Sequence, residues 1–353
     1  MQLTVRRRLT CALLLVPLAG CMSSAPLAER DAEAAAYIAQ NSREASAALA
    51  PVPDAFTTQT AEWQDPARNR MVPVRIYRPA ASEGALPLVV FSHGMGGSRE
   101  GYRYLGRHFA SNGFIAVHIQ HVGSDRQVWT GNPLGLLSRL SGAANESEAL
   151  DRVADVRFVL DQLLARTEGN EWAPRIDAQR ILMAGHSYGA NTAMLVSGAR
   201  VEKEGRALAL ADPRIRAAIL ISAPPFYGMR DSRGILQDIA IPTLHITSTD
   251  DDITIPGYRS GIDDRIDVYQ STAAQSRAPK LLAVFKGGAH SMFTDRLAPG
   301  GPDLNPIVKT ATRDLALQFA NRVLNRTPAT LAEWSKRHAP LVARFEHVGE
   351  MLR

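Results

Sequence analysis

The chain has 353 residues, 45% of them hydrophobic, and carries a formal net charge of +5 at pH 7. This composition is typical of a soluble globular protein with a large core, and the length is compatible with one α/β domain that carries insertions. The basic residues form no dense stripe interleaved with aromatic residues, which argues against nucleic acid as a partner.

Residues 1–20 have the features of an export signal. Three arginines at positions 6–8 form a positively charged start, and the apolar run 11–18 is too short to span a membrane. Removal of this segment would lower the formal charge to +2. The sequence Leu-Ala-Gly-Cys at 18–21 resembles the lipobox of bacterial lipoproteins. That resemblance implies a diacylated Cys21 at the mature N-terminus, and an ordinary secretory signal cleaved nearby is the alternative.

A lipidated Cys21 predicts an exported protein, anchored by lipid in the bacterial cell envelope at the outer membrane or its periplasmic face. Several acyl chains on one residue give lasting membrane attachment. With Cys11 removed, the folded part would contain no thiol and would depend on its core, not on disulfides. Residues 21–53, rich in Ala, Ser, Glu and Pro, are predicted to be a tether with a short helix around 31–48. A folded domain is predicted over 54–353.

The folded domain begins with alternating apolar and polar residues over Thr57–Tyr77, as in two antiparallel strands joined by a turn at 65–69. The apolar run Leu86–Phe91 predicts a strand buried on both faces of a parallel sheet. Ser98 is expected to cap a helix that runs to about Ser111, and the next strand is predicted over Phe114–Ile119.

The rest of the chain alternates between strands and helices, which predicts a mostly parallel α/β sheet. Helices are predicted over about 146–165, 306–324 and 329–342, and strands over 215–222, 241–247 and 280–285. Two irregular segments, Gly123–Asn145 and Ala223–Asp238, interrupt this alternation and are expected to form a lid or pocket wall.

The stretch Gly-His-Ser-Tyr-Gly at 185–189 matches the pattern G-x-S-x-G. It lies between a predicted strand, Arg180–Ala184, and a helical pattern of small residues, Ala190–Val196. In this strand–turn–helix context the pattern is typical of a nucleophile elbow, a sharp turn that exposes a reactive serine. Glycines flank the serine because side chains there would collide with the strand and the helix. The context indicates Ser187 as a nucleophile, although the pattern alone would also describe a glycine-rich turn.

A serine hydroxyl becomes a strong nucleophile when a base accepts its proton and a carboxylate orients that base. In α/β-hydrolases, which this pattern resembles, the chain order is Ser, acid, His, each at the carboxyl end of a strand. Three aspartates at 250–252 follow one predicted strand, and His290 follows the next predicted strand, with Gly287 and Gly288 before it. We therefore expect His290 to be the base.

The other histidines fit the role of base less well, and His121, which also follows a strand, is the serious rival. The remaining ones lie in turns (His93, His186), within strands (His118, His245), or on predicted helices where surface histidines are expected (His108, His338, His347).

The choice among the three aspartates rests on a resemblance to serine esterases of the polyester-hydrolase and cutinase type. Those proteins have Pro-Thr-Leu, six further residues, and the catalytic Asp two positions before Ile. The matching Pro-Thr-Leu at 242–244 and Ile253 place that acid at Asp251, with Asp250 as the alternative. No metal is expected, since a solvated acidic loop is the commoner reason for such a charge run. The alternative is a calcium site among Asp250, Asp252, Asp263 and Asp264.

A wider resemblance covers roughly residues 57–325. The chain is similar to the platelet-activating-factor acetylhydrolase-like and predicted dienelactone hydrolase group of α/β-hydrolases. The resemblance rests on Trp63-x-Asp65-x-x-Arg68-x-Arg70-x-Val72-Pro73-Val74-x-Ile76-Tyr77-x-Pro79, Phe91-Ser92-His93-Gly94-x-Gly96-Gly97, Ala110-Ser111-x-Gly113-Phe114 and Gly185-His186-Ser187. True dienelactone hydrolases use a cysteine nucleophile, whereas this chain has Ser187, so that name does not carry over as the activity.

An oxyanion hole requires two backbone N–H groups directed at the developing negative charge. In this fold one is expected from the residue after the nucleophile, Tyr188, and the other from the loop after the first central strand, at Met95. Glycines around Met95 allow the backbone to approach closely.

Together these features predict an α/β-hydrolase fold, with a mostly parallel sheet flanked by helices and lid-like insertions. The expected activity is carboxylic ester hydrolysis through an acyl-serine intermediate, without a cofactor. A small ester or a lipid is the expected substrate, the lipid anchor at Cys21 is the expected membrane contact, and no oligomeric state is indicated. The alternatives are a serine peptidase or amidase of the same fold and a non-catalytic envelope lipoprotein that uses the fold for binding.

Overall fold

The computed structural model describes residues 27–226, 231–255, 258–274, 276–296, 301–328 and 330–349. The predicted export signal and Cys21 lie outside these ranges. Within them, no helix combines the length and the hydropathy that a membrane span needs.

A nine-stranded sheet forms the centre of the described residues. The strands in chain order are β1 (Phe56–Asp65), β2 (Arg70–Pro79), β3 (Leu86–Ser92), β4 (Ile115–Ile119), β5 (Ile176–His186), β6 (Glu202–Lys203), β7 (Arg206–Ala207), β8 (Ile215–Ile221), β9 (Thr243–Asp250), β10 (Ile253–Ile255), β11 (Tyr258–Ser260), β12 (Lys280–Ala289) and β13 (Val342–Val348). The large sheet has the order β1-β2-β4-β3-β5-β8-β9-β12-β13, while β6–β7 and β10–β11 form two small hairpins.

The six strands from β4 to β12 in the large sheet (β4, β3, β5, β8, β9 and β12) run parallel to one another, so their carboxyl ends meet at one edge, here called the carboxyl edge. The antiparallel pair β1–β2 and the mostly parallel sheet confirm the prediction. Ser187 follows β5, Asp251 follows β9, and His290 follows β12. The sheet therefore brings all three residues to the carboxyl edge, where open α/β sheets bind ligands.

Ten helices are assigned in the described residues, with short 3₁₀ turns between them. They are α1 (Leu27–Arg30), α2 (Ala32–Ala48), α3 (Arg103–Ser111), α4 (Leu136–Ala143), α5 (Glu146–Leu164), α6 (Tyr188–Val196), α7 (Ser232–Leu236), α8 (Ile262–Ala273), α9 (Gly301–Leu324) and α10 (Leu331–His338).

The helices cover both faces of the sheet and create two large cores, with a small third cluster beneath α8. Val89 and Phe91 of β3 pack in the core beneath α2, α3, α9 and α10. Leu88 and Val90 of the same strand pack in the core beneath α5 and α6. A strand covered on both faces needs an apolar residue at each position, which explains why the run in β3 is continuous.

Several predicted helix limits differ from the structure. The helix predicted from Ser98 begins at Arg103, and the Ser98 hydroxyl accepts a hydrogen bond from the Glu100 N–H in the preceding turn. Helix α9 begins at Gly301, before the predicted start. The helix predicted over 329–342 is wrong at its end: α10 ends at His338, a 3₁₀ turn follows at Ala339–Leu341, and strand β13 begins at Val342. This strand pairs antiparallel with β12 at the sheet margin and is partly exposed, so it lacks an apolar run.

The predicted tether differs from the structure from Leu27 onward. The helix predicted around 31–48 is present as α2, capped by the Asp31 carboxylate, but it packs against α9 and buries Ala34 and Ala45. The hydroxyl of Tyr37 lies 2.9 Å from His338 Nδ1. This helix therefore belongs to the folded domain. It also explains why His338, expected on the surface, is buried.

The first irregular segment, 123–145, contains 3₁₀ turns at Arg126–Trp129 and Pro133–Gly135, followed by α4. Three apolar side chains of this segment, those of Trp129, Leu134 and Leu137, are exposed. The second segment, 223–238, contains α7, and its residues 227–230 lie outside the described ranges.

Candidate active site

The turn that carries Ser187 is strained, and both flanking glycines are required by close backbone contacts. Ser187 has φ 56° and ψ −121°, which is unfavourable for a residue with a side chain. A Cβ on Gly185 would lie 2.1 Å from the Gly189 oxygen, and one on Gly189 would lie 2.0 Å from the Ser92 oxygen. The G-x-S-x-G pattern is therefore a steric requirement of the strand–helix turn between β5 and α6.

Ser187, His290 and Asp251 form a continuous chain of hydrogen bonds. His290 Nε2 lies 2.8 Å from Ser187 Oγ, and His290 Nδ1 lies 2.6 Å from Asp251 Oδ1. An ionised carboxylate can only accept, so the Nδ1–H donates to Asp251 and Nε2 is free to accept the proton of the serine hydroxyl. The predicted residues thus have the connectivity that activation of a serine requires.

The surroundings of Asp251 favour its ionised form. Burial opposes ionisation, but the contacts with His290, Arg265 and Thr247 outweigh it and hold the Asp251 pKa below its usual range. The Thr247 hydroxyl donates to Oδ2 at 2.6 Å, and the Arg265 guanidinium lies 3.6 Å from Oδ1. Sequence reasoning did not identify Arg265, because no motif marks it and its contact with Asp251 arises only when α8 packs against β9 and β12.

The two neighbouring aspartates point elsewhere. Asp250 pairs with Arg30 at 2.6 Å, and Asp252 is exposed. Asp264, another residue of the calcium hypothesis, accepts a hydrogen bond from the Gly261 N–H at the start of α8. In the described ranges, no three His, Cys, Asp or Glu residues are grouped in a way that could hold a metal ion.

The backbone of His290 is held by a second pair of buried side chains. His186 donates from Nε2 to the His290 carbonyl oxygen at 3.0 Å, and its Nδ1 accepts from the Tyr102 hydroxyl at 2.8 Å. Burial and the neighbouring His290 lower the pKa of His186 to about 3, so the ring stays neutral and keeps this tautomer. The histidine inside the G-x-S-x-G motif thus helps to fix the position of His290.

The loop with Met95 lies directly against Ser187. A Cβ on Gly94 would lie 3.2 Å from the Ser187 Cβ. The Gly96 N–H donates to the Ser124 oxygen at 2.8 Å, which holds the loop in place. Neither the Met95 nor the Tyr188 N–H donates to a protein acceptor in the described part of the chain. An oxyanion hole requires N–H groups without such an acceptor, and these two groups meet that condition.

The rival histidine, His121, belongs to a second Ser-His-Asp arrangement that is sealed inside the protein. Its Nε2 lies 2.9 Å from Ser92 Oγ, and its Nδ1 lies 3.0 Å from Asp155 Oδ2. Burial and the nearby Arg152 charge lower the pKa of His121 to about 3, so the neutral ring donates to Asp155. Ser92, His121 and Asp155 are all fully buried. Substrate cannot reach them, so this arrangement is structural.

Arg152 joins the segments that surround the candidate oxyanion hole. This fully buried guanidinium donates to Thr192 on α6 at 2.9 Å, to Ser124 at 2.7 Å, and to the carbonyl oxygen of His93. Its guanidinium carbon also lies 4.4 Å from the centre of the Tyr188 ring. Burial lowers the pKa of Arg152 to about 10, so the group remains charged at neutral pH.

We expect Arg152→Met to lower the free energy of unfolding by about 2–4 kcal/mol, because buried acceptors lose a charged donor. Arg157→Met is the matched control on the same helix, since Arg157 bonds only to surface carbonyls of Ala209 and Ala211 and should cost less than about 1 kcal/mol. Urea unfolding followed by circular dichroism measures both changes. Equal losses in the two variants would contradict this role for Arg152.

A strained serine turn at the carboxyl edge of a mostly parallel sheet is the arrangement found in α/β hydrolases. The family model described as "Alpha/beta hydrolase family" matches residues 89–349. The chain belongs to this family.

A solved structure with a similar fold is a ferulic acid esterase from Streptomyces cinnamoneus. It has a TM-score of 0.56 and 21% sequence identity, and the match covers 84% of this chain and 98% of that chain. At this identity the likeness concerns the fold alone. A search of curated proteins finds no sequence match.

Proposed function

We propose that this α/β hydrolase cleaves carboxylic esters through a Ser187–His290–Asp251 triad and an acyl-serine intermediate. The observation that carries the proposal is the hydrogen-bond chain from Ser187 through His290 to Asp251 at the carboxyl edge. Ser187 and His290 are partly exposed there, in contrast to the sealed Ser92–His121–Asp155 arrangement.

In the proposed reaction His290 Nε2 accepts the Ser187 proton while Oγ attacks the ester carbonyl carbon. The N–H groups of Met95 and Tyr188 bind the oxyanion of the tetrahedral intermediate. That intermediate collapses, the ester C–O bond breaks, and His290 returns the proton to the departing alkoxide. His290 then deprotonates a water that attacks the acyl-serine, which releases the acid and restores the Ser187 hydroxyl.

The proposed substrate is a small ester or a lipid, and phospholipid, acetylated polysaccharide, polyester and small xenobiotic esters fit this chemistry equally. The solved neighbour named as a ferulic acid esterase supports ester cleavage as the reaction on this fold. A peptidase or amidase of the same fold and a binding-only lipoprotein are the competing functions.

Purified protein should hydrolyse p-nitrophenyl acetate, and a series of longer p-nitrophenyl esters would define the acyl-chain preference. A peptide p-nitroanilide cleaved faster than each ester would support the peptidase instead. A folded protein inactive on both kinds of substrate would support the binding-only function.

We also propose that Cys21 is diacylated and that the protein is anchored in the bacterial cell envelope after export. The Cys21→Ser protein should move from the membrane fraction to the soluble fraction, since a single residue carries the acyl chains. Its turnover of p-nitrophenyl acetate should stay within about twofold of wild type, because lipidation and chemistry lie on separate segments. Recovery of the variant wholly with membranes would refute the lipobox assignment.

A further inference from the structure

The N-terminal end of the described chain meets the domain at the carboxyl edge. Leu27 lies against Gly287, where an added Cβ would be 3.1 Å from the Leu27 Cβ. Arg30 pairs with Asp250 at 2.6 Å, and Asp31 with Lys286 at 2.7 Å. Asp250 and Lys286 lie close in sequence to Asp251 and His290, so the chain reaches the domain beside the candidate site.

The chain segment between Cys21 and Leu27 is short. Five residues separate Cys21 from Leu27, and a fully extended chain would span about 20 Å between them. A globular domain of this size is roughly 50 Å across. If Cys21 is lipidated as proposed above, the anchor therefore keeps the carboxyl edge near the bilayer.

The same edge carries exposed apolar side chains. Trp129, Leu134 and Leu137, here called the Trp129 patch, are 47%, 92% and 54% exposed. The Trp129 indole donates to the Gly96 oxygen at 3.1 Å, so the patch adjoins the loop that carries Met95. Exposed apolar groups gathered in one segment mark an interaction surface.

The charges around the patch suit an anionic lipid surface. Residues 123–145 contain two arginines, Arg126 and Arg139, and one carboxylate, Asp125, which is buried. The guanidinium of Arg296 donates to the Gly96 oxygen at 2.9 Å and lies 5.8 Å from the centre of the Trp129 ring. Tryptophan beside arginine is a combination that binds at the headgroup level of membranes.

We propose that the carboxyl edge docks on the bilayer surface and that the enzyme acts on esters embedded in that membrane. The anchored end enters beside β12 and the Trp129 patch follows β4, so Ser187 after β5 lies between the two contacts. The inference rests on the proposed esterase function and on lipidation of Cys21. It adds the orientation of the domain and the substrate class.

Quenching of tryptophan fluorescence tests the orientation without using activity. The lipidated protein is placed in phosphatidylcholine–phosphatidylglycerol vesicles whose acyl chains are brominated near the headgroup. Of the four tryptophans, Trp172 and Trp334 are buried, and Trp63 on β1 is partly buried against the core beneath α5 and α6. We expect quenching in wild type that Trp129→Phe largely removes. Equal quenching in both proteins, or none in wild type, would overturn the docking.

The second test compares two substrates for one variant. The variant is Leu134→Ser/Leu137→Ser, and the measured quantity is the turnover of an ester embedded in the vesicles divided by the turnover of p-nitrophenyl acetate. This ratio should fall about tenfold or more, because two apolar contacts with the lipid are lost. Val348→Ser is the matched control, since Val348 is exposed at the opposite edge, where it pairs with the first residue of β12. Its ratio should equal that of wild type.

An unchanged ratio in the double variant would overturn the proposal. An equal loss of turnover on both substrates would show instead that the Trp129 patch is a wall of the site. If wild type hydrolyses neither ester, the esterase function fails, and the quenching result still decides whether the edge docks.

Discussion

Ser187→Ala is expected to lower kcat for p-nitrophenyl acetate by at least about 10³-fold, because the covalent route through the acyl-serine disappears. The fold should persist, since alanine at φ 56° bears a strain similar to that of serine and the Gly185–Gly189 contacts are unchanged. Initial rates on purified protein, with circular dichroism to check folding, give the comparison.

Ser92→Ala is the matched control for this prediction. Ser92 likewise begins a hydrogen-bond chain through His121 to Asp155, and it also accepts from Arg152, but it is fully buried, so its loss should leave kcat within about tenfold of wild type. If Ser187→Ala keeps more than a tenth of wild-type activity, Ser187 is not the nucleophile. A larger loss in Ser92→Ala than in Ser187→Ala would point to the buried arrangement.

Asp251→Asn should lower kcat by about 10²–10⁴-fold. The carboxylate of Asp251 accepts both from His290 Nδ1–H and from the Thr247 hydroxyl. An amide that turns its NH₂ toward His290 favours the tautomer with the proton on Nε2, where the ring cannot accept the Ser187 proton. The KM for p-nitrophenyl acetate should change little, because Asp251 is buried behind the histidine.

Asp250→Asn and Asp252→Asn are the controls on either side. Asp250 loses its ion pair with the partly exposed Arg30 and the hydrogen bond from the Thr249 hydroxyl, and Asp252 is exposed, so both variants should stay within about tenfold of wild type. If Asp250→Asn is the variant that loses activity, Asp250 is the triad acid and the alignment that chose Asp251 is off by one residue. The assignment of the fold would not change. If all three keep more than a tenth of wild-type activity, the acid lies elsewhere.

Local sequence patterns were sufficient to predict the features that depend on neighbouring residues. The apolar runs of β3 and β8 identified buried strands, because the apolar residues of these strands pack against a core. Gly185 and Gly189 identified the strained turn, because the backbone leaves no space there for a side chain. The order of Ser187, Asp251 and His290 along the chain indicated the site before their distances were known. The choice of Asp251 over Asp250 required a family resemblance, since both follow the same strand.

Features that depend on distant contacts were missed or misjudged. Strand β13 was missed because a partly exposed edge strand carries little apolar periodicity, and the helix predicted over 329–342 extended to its first residue, Val342. Helix α2 packs on α9, and Tyr37 of α2 contacts the buried His338 of α10. These contacts join residues near the start of the described chain to residues near its end. The roles of Arg152 and Arg265 likewise arise only when α5 and α8 meet the sheet.

The acyl-serine itself provides the most direct test of the central claim. Wild-type protein is mixed with p-nitrophenyl acetate, quenched in acid within the first turnovers, and digested for peptide mass spectrometry. We expect an acetyl group on Ser187, and no acetyl adduct at that peptide in Ser187→Ala. Rapid hydrolysis with an acetyl group on a different residue, or with Ser187→Ala as active as wild type, would contradict the account.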